Sequence, residues 1–196
     1  PPPYSSAASD VYKRQGPQDR ILTGALTGRG DALIQAFWLS LCRQNKGKLM
    51  KTAFIFGLGY VGMPLAHALA KKGWQIRGTT RTPSKLAGKI GVGWEILPFV
   101  ADSSLANPKK VFADVDVIIS TITAIGGSDP VLDSHGKDLE NFPGWAGYVS
   151  ATSVYPDMPD RICYEDTPVA PSTARGKARV LAESRWQNQL GAEVFR

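Results

Sequence analysis

Residues 50–62 read MKTAFIFGLGYVG, an apolar run that breaks into Gly57, Gly59 and Gly62. A strand that leaves a sheet and enters a helix needs a tight turn, and Gly57 can take backbone angles that side-chain-bearing residues avoid. Gly59 leaves room for a pyrophosphate to approach the backbone, and Gly62 lets helix and strand pack closely. The helix expected over about residues 60–72 offers unpaired amide N–H groups and the positive end of its dipole to that anion. The flanking residues suit the motif. Ala53, Phe54, Ile55 and Phe56 read as a buried strand, and Val61, Leu65, Ala68 and Leu69 recur at helical spacing. Pro64 falls in the first helical turn, where a missing N–H is tolerated, and Gly73 is a natural helix stop. Gly57, Leu58, Gly59, Tyr60, Val61 and Gly62 are therefore candidate residues for binding a dinucleotide.

The chain has 196 residues, with hydrophobic and charged fractions of 43% and 20% that are ordinary for a globular protein. Residues 5–15, SSAASDVYKRQ, resemble the translation of a transposon adapter used in preparing sequencing libraries. Residues 1–49 are accordingly expected to be a non-native or disordered leader, with Met50 as the native first residue. A helical extension over 32–42, ALIQAFWLSLC, is the alternative, and it is too short to span a bilayer. Most of the net charge of +6 belongs to this leader, which removes the main electrostatic argument for nucleic-acid binding. Cys163 is left alone once Cys42 is set aside, so neither an internal disulfide nor a cysteine metal cluster is expected. His67 and His135 have no partners at ligand spacing, so no metal site is expected. A reducing cytoplasm fits, with no membrane partner.

Beyond the first helix, residues 75–79 read as a second strand, whose end governs cofactor choice. An acidic residue there would favour NAD through the ribose hydroxyls. This chain instead has Thr80 and Arg81, and the planar guanidinium of Arg81 matches a 2′-phosphate, so NADP is expected, with NAD possible. Thr82 and Pro83 read as the cap and first position of a short helix reaching about Lys89. Residues 95–99 read as the third strand, with Asp102 close behind it, and a helix ends over 109–113. The run VDVIIS at 115–120 is a fourth buried strand. Its following loop, from Thr121 through Gly126 and Gly127 to Ser128, lies at the carboxyl edge, where open α/β sheets bind ligands. A helix over 130–139, a fifth strand over 147–150 and a sixth beginning at 193–195 complete the alternation. That alternation predicts an α/β fold with a doubly wound parallel sheet over residues 50–196.

Residues 150–157, SATSVYPD, followed by Glu165, Asp166, Thr167, Pro168, Pro171 and the stretch 175–183, carry a resemblance. From Met50 onward the chain resembles an atypical branch of the extended short-chain dehydrogenase/reductases, the NAD-dependent epimerase/dehydratase family. The resemblance implies a Rossmann domain whose smaller C-terminal substrate lobe is largely absent, since residues 193–195 only begin the sixth strand. It implies an NAD(P)-binding oxidoreductase or epimerase acting on a nucleotide-linked or other small carbonyl substrate, with Asp102 near the adenine and Thr121 at the cofactor. Family members use a hydroxyl residue after the fifth strand and a Tyr-x-x-x-Lys pair on the next helix. Here the hydroxyl position falls on Ala151, with Thr152 beside it. The Tyr and Lys positions fall on Arg175 and Arg179, neither of which can exchange a proton at neutral pH. Thr152, Ser153 and Tyr155 remain the catalytic candidates. The alternative is a non-catalytic NADP-binding protein in which Arg175 and Arg179 hold phosphate or a partner. The GLGYVG turn with Pro64 and Leu65 also looks like the start of nucleotide-sugar 6-dehydrogenases, but Thr79 to Arg81 lack the acid that family carries.

Overall fold

The computed structural model describes residues 51–157, 163–164 and 166–196. Residues 1–50, 158–162 and 165 lie outside the described residues, and with them the expected leader, Met50 and Glu165. Six strands, β1 (Thr52–Phe56), β2 (Gln75–Thr80), β3 (Glu95–Pro98), β4 (Val117–Ser120), β5 (Trp145–Val149) and β6 (Glu193–Phe195), form one sheet. Their spatial order is β3-β2-β1-β4-β5-β6, and every neighbouring pair is parallel. β1 lies in the middle of the sheet and the later strands are added outward on both sides, so the strand order reverses between β1 and β4. This is the doubly wound α/β sheet expected from the alternation of apolar runs.

Among the described residues the helices are α1 (Gly62–Lys71), α2 (Pro108–Phe112), α3 (Pro130–His135) and α4 (Ala174–Leu190), with single 3₁₀ turns at Pro83–Leu86 and Thr152–Val154. All five residues of β1 are buried because both faces of the sheet are covered. Ala53 and Ile55 pack with Leu65, Ala66 and Leu69 of α1 and with Val117 and Ile119 of β4. Phe54 and Phe56 point the other way, into a layer with Phe112, Val131, Leu132, Tyr148 and Trp186. There Phe54 meets Phe56 and Phe112 edge-on at centroid distances of 4.8 and 5.2 Å. Such pairs contribute about 0.5–1.5 kcal/mol each beyond their area.

The longest helix, α4, is held at both ends. Thr173 Oγ1 accepts from the Gly176 amide at its start, and Gly191, at φ +60°, closes it in the left-handed region. Asp129 fastens this helix to the layer below. Its Oδ1 accepts from the amides of Val131 and Leu132 and so caps α3, while its Oδ2 accepts from the Trp186 indole at 2.9 Å. Burial raises the Asp129 pKa above the usual carboxylate range, and these hydrogen bonds oppose the rise. His135 is wholly buried, accepting from the Leu105 amide at Nε2 and facing Asp138 with Nδ1, a structural arrangement.

Three expected helices are shorter than anticipated. Residues 83–89 form only a 3₁₀ turn, because no residue in it is buried and Gly88, at φ +74°, ends any helical run. The helix expected over 130–139 stops at His135, with Gly136 at its C-cap and turns continuing to Leu139. Tyr60 and Val61 precede α1 rather than belonging to it. Within α1, Ala66 rather than Ala68 completes the buried stripe.

Candidate dinucleotide site

The turn between β1 and α1 is held from both neighbouring strands. On the β2 side, Thr79 is completely buried; its Oγ1 accepts from the Gly57 amide at 3.0 Å and its carbonyl from the Leu58 amide at 2.7 Å. On the β4 side, Thr121 donates its hydroxyl to the Gly57 carbonyl at 2.6 Å. Gly57 itself sits at φ +91°, a conformation glycine adopts freely. Leu58 turns inward onto Gly78, where any Cβ would strike the leucine side chain.

The other two glycines differ in what surrounds them. A Cβ on Gly62 would overlap the Gly57 carbonyl oxygen, so this position is closed by helix-to-turn packing. A Cβ on Gly59 would meet nothing within 4 Å, so this position opens onto free space. No side chain caps the N-terminus of α1, whose N-cap is Val61. Backbone amides at the mouth of this ten-residue helix therefore face the cleft with no side chain competing for them.

That cleft has a volume of about 300 Å³ and runs along the carboxyl edge of the sheet. Gly57, Gly59, Tyr60 and Val61 line it from the turn, and Thr121 and Thr123 from the loop after β4. Val149 and Ser150 line it from the end of β5, and Arg179 from α4. It lies at the reversal of strand order, where α/β sheets place their ligands. The open space at Gly59 and the uncapped helix end fit an anionic pyrophosphate.

Residues 51–164 match the family model of the NAD binding domain of 6-phosphogluconate dehydrogenase. The chain belongs to this family. An NAD-binding domain accounts for the uncapped helix end and for the three differently used glycines. Protein YeeZ of Escherichia coli strain K12 is 30% identical over 159 residues, which cover 74% of this chain and 56% of that protein. The chain thus spans about half the length of the curated relatives it matches. A solved structure of a conserved protein of unknown function from Silicibacter pomeroyi DSS is 34% identical, with a TM-score of 0.64, over 74% of this chain and 51% of that one. UDP-glucuronic acid 4-epimerase from Bacillus cereus, solved with UDP-glucuronic acid and NAD, has a TM-score of 0.56 at 16% identity over 74% of this chain and 55% of its own. At that identity the likeness concerns the fold.

The remaining candidates of this NAD-binding domain are dispersed. Thr80 ends β2 half-buried, and Arg81 follows it exposed. Asp102 is exposed in a turn after β3, in the left-handed region at φ +63°. Thr152, Ser153 and Tyr155 belong to the 3₁₀ turn after β5 and its C-cap, outside the residues that line the cleft. The Ser153 hydroxyl is buried without a hydrogen-bond partner. The Tyr155 ring lies beneath the Arg196 guanidinium, 5.9 Å from its centroid, and Arg196 is paired with Glu183. Arg175 is exposed, whereas Arg179, one turn later, is only 9% exposed and reaches the cleft. Arg179 donates to the Val149 carbonyl at 3.1 Å and to Thr123 Oγ1 at 3.0 Å.

The sequence marks Thr123 only as part of the loop after β4, and does not mark Thr79 or Ser150 as parts of the site. Their positions at or just beyond the carboxyl ends of β2, β4 and β5 were the available signal. Beside Arg179 lies Tyr148, completely buried, its phenol pushed up to about 12 chiefly by burial, with the nearby arginine opposing. It stays protonated at neutral pH and cannot serve there as a base. Among the described residues no helix is long and apolar enough to cross a membrane, and no three His, Cys, Asp or Glu side chains are placed to hold a metal.

Proposed function

We propose that this domain binds NADP(H) and serves an oxidoreductase or epimerase of the short-chain dehydrogenase/reductase type, acting on a nucleotide-linked or other small carbonyl substrate. The observation that carries the reading is the uncapped α1 N-terminus, facing a cleft that is open at Gly59 and closed at Gly62. Arg81 is assigned to the 2′-phosphate, since it stands on the surface directly after β2 where the adenosine ribose would lie. A bound nicotinamide supplies hydride exchange with a carbon bearing oxygen. The chain's own task is then to hold the reacting groups together and to supply or take up a proton at the substrate oxygen. Among the described residues near the end of β5, Thr152, Ser153 and Tyr155 are the proposed sources of that hydroxyl chemistry.

A second reading has its own support. Arg175 and Arg179 stand where a Tyr-x-x-x-Lys pair would be, and neither exchanges a proton near neutrality. With Tyr155 under Arg196 and outside the cleft lining, a dinucleotide-binding protein without Tyr/Lys-type turnover is the alternative. Two measurements test these readings. NADPH is expected to bind more tightly than NADH by roughly tenfold or more, the effect of a charge-assisted contact of about 1.5–3 kcal/mol. Arg81→Ala is expected to erase that preference, and a preference untouched by the substitution refutes the assignment. NADPH oxidation against nucleotide sugars and small carbonyls then separates the two readings. Turnover abolished by Tyr155→Phe removes the non-catalytic one, and no turnover with tight NADPH binding removes the catalytic one.

A further inference from the structure

We propose that Arg179 is the subsite for an oxyanion, a carboxylate or phosphate group, carried by the small molecule that binds beside the dinucleotide. The proposal rests on the dinucleotide reading and adds the chemical class of the second ligand. Arg179 is nine-tenths buried, yet both of its hydrogen-bond partners, the Val149 carbonyl and the Thr123 hydroxyl, are neutral. Its Nε–H is buried without a partner. Nη1 and Nη2 each make one of these contacts, the Nε–H makes none, and the Tyr148 phenol beside the guanidinium is neutral as well.

The nearby carboxylates are committed elsewhere. Glu183, one turn further along α4, is held by Arg196 through both of its oxygens. Asp129 accepts from two amides and the Trp186 indole. No carboxylate lines the cleft that Arg179 enters. A buried guanidinium with only neutral acceptors is costly unless a counter-anion completes it. Ser150, 8% exposed and also lining the cleft, adds a buried hydroxyl that lacks a partner.

The pyrophosphate does not serve as that counter-anion. Its place is the turn after β1, whereas Arg179 is anchored on the last residue of β5. β5 lies two strands from β1, roughly 10 Å along the sheet edge at the usual strand spacing. Arg179 is therefore placed for an anion other than the one at α1. The unpartnered Nε–H of its planar fork suits an oxygen of a carboxylate or phosphate. Arg175, exposed and outside the cleft lining, is the internal comparison.

The experiment follows thermal unfolding of the full chain during titration with inorganic phosphate or with acetate, at ionic strength matched by sodium chloride. It is run with and without saturating NADPH. A saturable rise in Tm that persists with NADPH bound is expected, and the oxyanion giving the tighter midpoint names the preferred group. Arg175→Gln is expected to keep the response, whereas Arg179→Gln weakens the midpoint roughly tenfold or more. Where Arg179→Gln does not fold, Arg179→Lys decides: it keeps the charge and loses the fork, so a weakened midpoint supports the subsite and an unchanged one overturns it. No saturable response to either anion, a response equal in Arg179→Gln, or a response abolished by NADPH also overturns it. Failure of NADPH to bind the wild type refutes the dinucleotide reading instead, while the arm without cofactor still reports on Arg179.

Discussion

Placing an alanine at Gly59 and, separately, at Gly62 is expected to divide ligand binding from stability. At Gly62 the new methyl meets the Gly57 carbonyl oxygen, a backbone atom already fixed by the Thr121 hydroxyl, so it cannot move aside freely. Forcing a methyl into such a packed position costs about 1–3 kcal/mol. The better helix propensity of alanine offsets up to about 1 kcal/mol of this. A net loss of about 1–2 kcal/mol lowers Tm by roughly 2–8 °C for a domain of this size. At Gly59 the methyl touches nothing and the backbone needs no positive φ, so stability should change by less than about 0.5 kcal/mol. The same methyl holds the pyrophosphate away from the helix amides, and NADPH affinity should fall roughly tenfold or more. Differential scanning calorimetry and NADPH fluorescence titration on both variants make the comparison. A Gly59→Ala protein that binds NADPH like the wild type refutes the placement of the pyrophosphate. A Gly62→Ala protein with unchanged Tm refutes the packing account.

Three further outcomes concern the layer beneath the site. Tyr148 has its folded pKa raised from 10.0 to about 12, so the folded state holds that proton more tightly than the unfolded chain. Stability is therefore lost as pH rises from about 10 to about 12, by about 2–3 kcal/mol in total, and Tyr148→Phe should flatten that part of a stability–pH profile measured by urea unfolding. Asp129→Asn keeps an acceptor for the α3 amides but turns either its NH2 group or an already shared oxygen toward the Trp186 indole N–H. A loss of about 1–3 kcal/mol in chemical denaturation is expected, and an unchanged midpoint contradicts the described role of Oδ2. Asp129 also titrates in the folded protein: its raised pKa makes its ionised form a liability, so its contribution to stability falls as pH rises through that pKa and Asp129→Asn removes this dependence.

The strands and the glycine turn were legible because their determinants are local. β1 is apolar from Ala53 to Phe56, and three glycines cannot be mistaken for a continuing strand. The 83–89 segment misled because Thr82 and Pro83 make a good helix start, whereas what sustains a helix is a buried face, and this one has none. Thr79 was invisible as a clamp because its hydroxyl acts on Gly57, 22 residues away and on the neighbouring strand. Arg175 and Arg179 were legible as a pair by spacing alone. Which of them enters the cleft depends on how α4 is rotated against β5, and that is set by Ala178, Ala182 and Trp186 facing the sheet and by Gly176 packing against the Ser153 carbonyl.

The double attachment of the β1–α1 turn has a kinetic consequence. With Gly57 and Leu58 bonded to Thr79 on one side and Gly57 to Thr121 on the other, the turn is ordered before any ligand arrives. Association then waits on no loop closure, so its rate constant should lie in the ordinary range for a preformed site, set by encounter and orientation, and variation in affinity among cofactor analogues should emerge in dissociation. The amides of Gly57 and Leu58 should likewise exchange with solvent deuterium slowly in the free protein, with little further slowing when cofactor is added.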